Sequence, residues 1–255
     1  MDYLVAEITE VAFPAPGCAL IRFAGPRPVT GEPGQFVMVR GDFGTDPILP
    51  RAFSLVEASG EGAILVRAIG KATRRLIALR PGDKLSVLGP LGRGFNGPEH
   101  GRRPVLVAGG MGVAPLLFFA ERLAAGAEPP IFLYGARTGA EFNLLRRLDK
   151  ASRLVLATED GSRGQKGLVT DLLGQIVSDD GPLQLYACGP EAMLRAVSLA
   201  AGKSGIPCQI ALESPMACGI GTCKGCAVEG HDGGYRYVCS DGPVFEAQEI
   251  FGGAR

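Results

Sequence analysis

The chain has 255 residues, long enough for two separate cores, and its 46% hydrophobic and 20% charged content is that of an ordinary soluble fold without a disordered tail. Lys plus Arg and Asp plus Glu each total 26, and a net charge of zero excludes the basic footprint of a nucleic-acid binder or a membrane-surface protein. The opening MDYLVAEITE lacks the basic start and apolar run of a signal peptide, and the most apolar stretches are short and broken by Gly and Pro, so no secretion and no stable membrane insertion are expected.

Residues 1–88 alternate in short apolar segments punctuated by turn residues. Strands are expected at 3–8, 19–23, 35–39, 52–56, 63–68 and 84–88, with a helical insertion at 73–79. Six short strands of this kind suggest a small antiparallel β-barrel. The Gly-rich, charged stretch 89–103 reads as a linker.

The period changes across residues 101–212. Strands at 104–108, 131–134, 154–157, 183–188 and 207–211 alternate with helices at 113–125, 141–148, 168–177 and 191–200. Continuous apolar strands alternating with helices predict a parallel sheet covered on both faces, an α/β domain. Residues 213–255 carry little periodicity and four cysteines, so a metal cluster rather than an apolar core is expected to hold them.

The seven cysteines are unevenly spread, with four in the 22 residues 218–239. That crowding suits a reducing cytoplasm and thiols that serve as ligands, not a disulfide scaffold. The spacing Cys218-x4-Cys223-x2-Cys226-x12-Cys239 is that of plant-type [2Fe–2S] ferredoxins. Gly219, Gly221 and Gly225 lie between the first three ligands, where positive φ lets backbone N–H groups approach the sulfurs. Zinc also takes four thiolates but usually from two C-x2-C pairs, and only one such pair is present. A Rieske centre needs two histidines, and His100 is remote from His231. Cys18 and Cys208 sit in strand-like runs and read as small buried hydrophobes.

Three turns fall at the C-terminal ends of parallel strands, the edge where such sheets bind ligands. Gly109-Gly110-Met111-Gly112 leads into a helix with Pro115 where a dinucleotide fingerprint has its third glycine; a tight turn without ligand is the competing reading. Thr158-Glu159-Asp160-Gly161 and Cys188-Gly189-Pro190 are the other two. In the first domain, Arg51-Ala52-Phe53-Ser54, Leu65-Val66-Arg67 and Gly70-Lys71-Ala72-Thr73 offer two guanidiniums, a hydroxyl and a helix start to a pyrophosphate and flavin. Solvated arginines and a core Phe53 fit the same residues.

Taken together these motifs resemble the electron-transfer subunit of type 1B bacterial dihydroorotate dehydrogenase, within the ferredoxin–NADP reductase superfamily. Arg51–Ser54 looks like the superfamily's flavin motif, Gly70–Thr73 its G-x-G-T with Ala72 in place of glycine, Gly89–Phe95 its G-P-x-G-x-G-F, and Gly109–Pro115 its G-G-x-G-x-x-P. The segment from Glu213 to Cys226, with Val238–Phe245 behind it, is the most specific match.

The resemblance implies an FAD-binding barrel at 1–100, an NAD-binding domain at 101–212 and a cluster-binding segment at 213–255. It further implies NAD as substrate, NADH rather than NADPH despite Arg137, and Cys188 near the hydride path with a buried-core role as the alternative. The implied partner is an FMN-containing catalytic subunit, in a heterotetramer with two of each, serving cytoplasmic pyrimidine (UMP) biosynthesis. An NAD(P)H:ferredoxin or hydrogenase-associated flavoprotein subunit is the nearer alternative, and a redox sensor without nucleotide the more distant one.

Overall fold

The computed structural model describes residues 2–252 apart from 127 and 180. Seven strands form the first sheet: β1 (Asp2–Ala15), β2 (Cys18–Ala24), β3 (Val29–Thr30), β4 (Phe36–Gly41), β5 (Arg51–Gly60), β6 (Gly62–Arg67) and β7 (Lys84–Leu91). Their order is β3-β5-β4-β7-β1-β2-β6, all antiparallel, and the β5–β6 pairing closes the barrel. Inward positions of successive strands supply one core, including Ile8, Ile21, Val37, Leu55, Ile64 and Val87. β1 is longer than the alternation foretells, because register shifts after Ile8 and Ala12 break the period while pairing with β2 continues. The short helix α1 (Lys71–Leu76), after β6, opens where Thr73 Oγ1 accepts the N–H groups of Ile69 and Gly70 at 3.0 and 2.9 Å.

The second sheet is β8 (Arg103–Gly109), β9 (Ile131–Ala136), β10 (Arg153–Thr158), β11 (Gln165–Lys166), β12 (Leu183–Cys188), β13 (Cys208–Ala211) and β16 (Val244–Glu246), in the order β11-β10-β9-β8-β12-β13-β16. All pairs are parallel except β13 with β16. Both faces of β8 are buried. Val105 and Val107 face Leu172, Leu194 and Val197 of α4 (Val169–Asp179) and α5 (Glu191–Lys203), while Leu106 and Ala108 face α2 (Val113–Leu123) and α3 (Leu145–Ala151). This two-sided burial is why the strands read as unbroken apolar runs. The strand order reverses between β9 and β12 on either side of β8, which opens a crevice at their C-terminal ends.

Three departures from the sequence expectations bear on the site. Residues 89–103 are not a loose linker. Gly89–Leu91 extend β7, Phe95 is buried with its ring 5.2 Å from that of Phe119, and the N–H groups of Asn96 and Glu99 donate to the Gln209 and Gln184 side chains at 3.0 and 2.7 Å. The helix expected at 141–148 begins only at Leu145, because Gly139–Glu141 form a single 3-10 turn and Leu144 takes a left-handed φ of 58°.

The cysteine segment also does not lie wholly outside the two cores. Beyond the hairpin of β14 (Ala227–Glu229) and β15 (Tyr235–Tyr237), β16 and α6 (Ala247–Phe251) return to the parallel sheet. There Cys226, Val238, Cys239, Phe245 and Ile250 join the core of α4 and α5.

An ion-pair network ties the two sheets together. Arg147 on α3 holds Glu121 on α2 through two hydrogen bonds of 2.8 and 2.6 Å, and reaches Glu57 on β5 at 3.4 Å. Glu57 in turn meets Arg22 on β2 at 2.9 Å. Bidentate, half-buried pairing of this kind favours one domain orientation.

Candidate functional site

Three cavities of about 600, 570 and 430 Å³ meet at Arg67, the last residue of β6, which lines all of them. The first lies on the barrel. Arg51, Ala52, Phe53 and Ser54 enter it from the start of β5, Leu65 from β6, and Gly70, Lys71, Ala72 and Thr73 from the opening of α1. The Arg51 guanidinium is folded back onto the carbonyls of Leu49 and Pro50, at 2.9 and 3.2 Å, which holds it at the rim. Val66 does not line this cavity: strand alternation turns it into the barrel core, fully buried. Ala72 is also nearly buried, and only one side of it borders the cavity.

The second and third cavities flank the crevice of the parallel sheet. Gly109, Gly110, Gly112, Gly189 and Pro190 line the second, and Gly109, Gly110 and Pro190 also border the third. These turns touch because Ala108 and Cys188 are partners in adjacent parallel strands. A Cβ on Gly112 would run into the Cys188 carbonyl, so only glycine fits there. Tyr134 Oη donates to the Gly110 carbonyl at 3.0 Å and fixes the turn from below; burial pushes its phenol up to about 12, so it remains a donor. Pro115 lines none of these three cavities. It is buried in the first turn of α2, where a missing N–H costs no intrahelical bond.

Cys188 is 1% exposed and lines none of the three cavities. Burial raises it well above the ordinary thiol range and the charge of Glu213 adds to this, so it stays protonated and is no nucleophile. Glu213 itself escapes a reading by motif chemistry. It follows β13 at the wall shared by the first and second cavities, open to the cleft on one side and crowded by protein on the others, and that desolvation raises its carboxyl. An acid placed directly after an apolar strand at the ligand edge was the available signal.

The segment that carries the four cysteines begins directly beside the first cavity. Ser214, Pro215 and Met216 line that cavity, and Cys218 follows two residues later, within roughly 7 Å along an extended backbone. Cys226 and Cys239 are buried with their Sγ atoms 3.2 Å apart, Cys218 is half-buried and Cys223 is exposed. Backbone N–H groups point at the sulfurs: Ile220 and Cys223 to Cys218 at 3.5 Å, Gly221 to Cys239 at 3.1 Å, and Cys239 to Cys226 at 3.5 Å. Positive φ at Gly219, Gly221 and Lys224 turns those groups inward.

A hydrogen bond from the Thr222 hydroxyl, with the Cys223 and Ile220 N–H groups, draws the Cys218 thiol down to about 5, which favours the thiolate that metals bind. Among the described residues no three Cys, His, Asp or Glu side chains gather around one ion position. Four thiols with inward N–H donors fit a sulfide-bridged cluster.

Comparison with known proteins agrees with this arrangement. Residues 213–251 match the iron–sulfur cluster binding domain of dihydroorotate dehydrogenase B, and residues 106–199 the oxidoreductase NAD-binding domain. A dihydroorotate dehydrogenase B (NAD(+)) electron transfer subunit from Caldanaerobacter subterraneus subsp. tengcongensis is 36% identical over 97% of this chain and 94% of its own length. A probable one from Methanopyrus kandleri is 38% identical over 98% and 94%. Among solved structures, a chain of an NADH-dependent reduced ferredoxin–NADP oxidoreductase superposes with a TM-score of 0.84 at 26% identity, over 96% of this chain and 89% of the other. A ferredoxin reductase of carbazole 1,9a-dioxygenase shares the fold, with a TM-score of 0.72 at 21% identity over 81% of this chain and 67% of the other. This chain belongs to the family of electron transfer subunits of dihydroorotate dehydrogenase B (NAD(+)).

Proposed function

We propose that this chain conducts electrons between NAD and a catalytic partner through three adjoining sites, each held by its own part of the fold. The observation that carries the reading is their contiguity: Arg67 and Glu213 border both the barrel cavity and the coenzyme cleft, and the cysteine cage begins two residues beyond the cavity wall at Met216.

The barrel, residues 1–100, holds FAD, residues 101–212 bind NAD, and residues 213–255 bind the [2Fe–2S] cluster on Cys218, Cys223, Cys226 and Cys239. FAD supplies the exchange between a hydride pair and single electrons, and the cluster carries those electrons singly. Arg51, Arg67 and the Ala72-Thr73 turn grip the pyrophosphate, and Ala52, Phe53, Ser54 and Leu65 border the flavin. Gly109, Gly110, Gly112, Gly189 and Pro190 let the coenzyme backbone approach closely. Val66, Pro115 and Cys188 act from behind, by shaping the strand ends and the turn that the cofactors meet.

Exposed Glu159 lines the coenzyme cavity, and Arg137 there is engaged by Glu141 at 2.9 and 3.1 Å. A 2′-phosphate would meet one uncompensated acid and one neutralised cation, so NADH is favoured over NADPH.

The partner is an FMN-containing catalytic subunit, in a heterotetramer of two of each. Dihydroorotate is oxidised there, and its electrons leave through this chain to NAD+, in cytoplasmic pyrimidine biosynthesis. No helix among the described residues is long and apolar enough to cross a membrane. The purified chain tests the reading: acid release should yield FAD, and anaerobic NADH should bleach it. FMN alone, or a flavin that NADH leaves oxidised, would overturn it.

A further inference from the structure

Lys224 is the one Lys or Arg between residues 204 and 235, and it stands between two ligand cysteines, Cys223 and Cys226. Its backbone φ is 59°, a left-handed conformation that a long side chain rarely adopts. The same loop uses glycine at 219, 221 and 225, so glycine would serve the backbone at 224 with less strain. The side chain, not the turn, accounts for lysine there.

That side chain has a defined place: Lys224 Nζ lies 3.8 Å from the centroid of the Tyr237 ring. The backbone that carries the ring is itself fixed. The Tyr237 N–H donates to Asp241 Oδ2 at 2.7 Å, and its carbonyl accepts the N–H groups of Ser240 and Asp241 at 3.0 and 2.8 Å. Tyr237 precedes Cys239 by two residues, so the ammonium joins the three-cysteine loop to the strand that delivers the fourth ligand. Arg236, the next nearest cation in sequence, is taken by Asp232 at 2.8 Å.

We propose that Lys224 is a positioning residue for the cluster: its ammonium, held over the Tyr237 ring on the loop that carries Cys223 and Cys226, stabilises the reduced centre and makes it a better one-electron acceptor. This rests on the four cysteines being cluster ligands. A thiolate-ligated [2Fe–2S] centre is an anion, and uptake of one electron without a proton makes it more negative by one charge. A nearby fixed cation therefore favours the reduced form over the oxidised one. The loop is exposed at Cys223 and Lys224, so added salt weakens the effect.

The test is an EPR-monitored redox titration of the FAD- and cluster-loaded chain and of Lys224→Gln, Lys224→Arg, Lys224→Gly and Tyr237→Leu variants, at low and high salt. Lys224→Gln and Lys224→Gly should each shift the reduction equilibrium toward the oxidised centre roughly tenfold, about 59 mV for a one-electron couple. Lys224→Arg should stay with the parent chain, Tyr237→Leu should fall between, and the differences should shrink at high salt. Lys224→Gly relieves the left-handed strain as it removes the charge, so it carries the comparison if Lys224→Gln loses its cluster. Loaded variants lacking the ammonium but keeping the parent midpoint would overturn the proposal. A parent chain that binds no iron and sulfide would instead overturn the reading of the cysteines.

Discussion

At the wall between the flavin and coenzyme cavities, the carboxyl of Glu213 is raised by desolvation alone. The sign of the consequence follows from proton binding. Unfolded, a glutamate titrates near about 4.3. Between that value and the raised folded one, the native state binds more protons than the unfolded state, so stability falls as pH rises through the window. Below the unfolded pKa the penalty is absent; above the folded one it is fully present. Glu213→Gln should therefore leave the acid side unchanged and stabilise the neutral side, flattening the pH dependence. Melting curves of both proteins from about pH 4 to 8 check this, and parallel profiles would show that the site does not desolvate the carboxyl.

Among the elements, β16 joins parts that the chain order keeps apart. Its residues pair antiparallel with β13, the Pro243 carbonyl just before it accepts the Leu212 N–H at 2.9 Å, and the Gly242 carbonyl accepts that of Arg93 at 2.6 Å. Phe245 fills the core beside Cys226 and Cys239 and is 4% exposed. Truncating it to alanine should cost about 3–5 kcal/mol as a core cavity. Because the same core backs two of the proposed cluster ligands, iron should also be lost faster to a chelator. Bleaching of the cluster absorbance against time in chelator measures this, and a rate equal to the parent's would mean that the cage stands independently of β16.

Such an element was hard to read in advance. Val244 and Phe245 make too short an apolar run to signal a strand, and the partner lies more than thirty residues upstream. Helix α3 was misplaced for a related reason: Leu144, Leu145 and Leu148 suit a helical face in either register. What delays its start is tertiary, with the Asn143 N–H donating to Tyr134 Oη at 3.3 Å and Glu141 engaged by Arg67 and Arg137. Strands β8, β9 and β12 were legible because two-sided burial leaves an unbroken apolar run, and the C-terminal iron–sulfur binding segment because its cysteine spacing is local. The convergence of three cavities on Arg67 was not legible, since it depends on how two domains dock.

Across the whole molecule, the placement of the four thiols decides what the chain can do alone. Cys226 and Cys239 are buried against the core, while Cys223 is exposed and Cys218 half-buried, so one side of the cage faces outward. Of the apolar residues around it, Ile220 is 42% exposed and free to meet another protein, whereas Met216 is packed into the flavin wall and Tyr237 lies under Lys224. A one-electron centre on these cysteines would face outward, which suits transfer to a partner, and it would have no means of removing hydrogen from a carbon acid. The isolated chain should therefore reduce artificial acceptors with NADH and show no oxidation of dihydroorotate. Adding the catalytic subunit, proposed to carry FMN, should supply that oxidation with NAD+ as acceptor. Cys226→Ser removes a proposed cluster ligand that does not itself line the coenzyme cleft, so it should abolish transfer to the partner while NADH still bleaches the flavin. Stopped-flow flavin reduction and coupled NADH formation separate the two steps, and vigorous dihydroorotate-dependent NADH production by the single chain would break this assignment of roles.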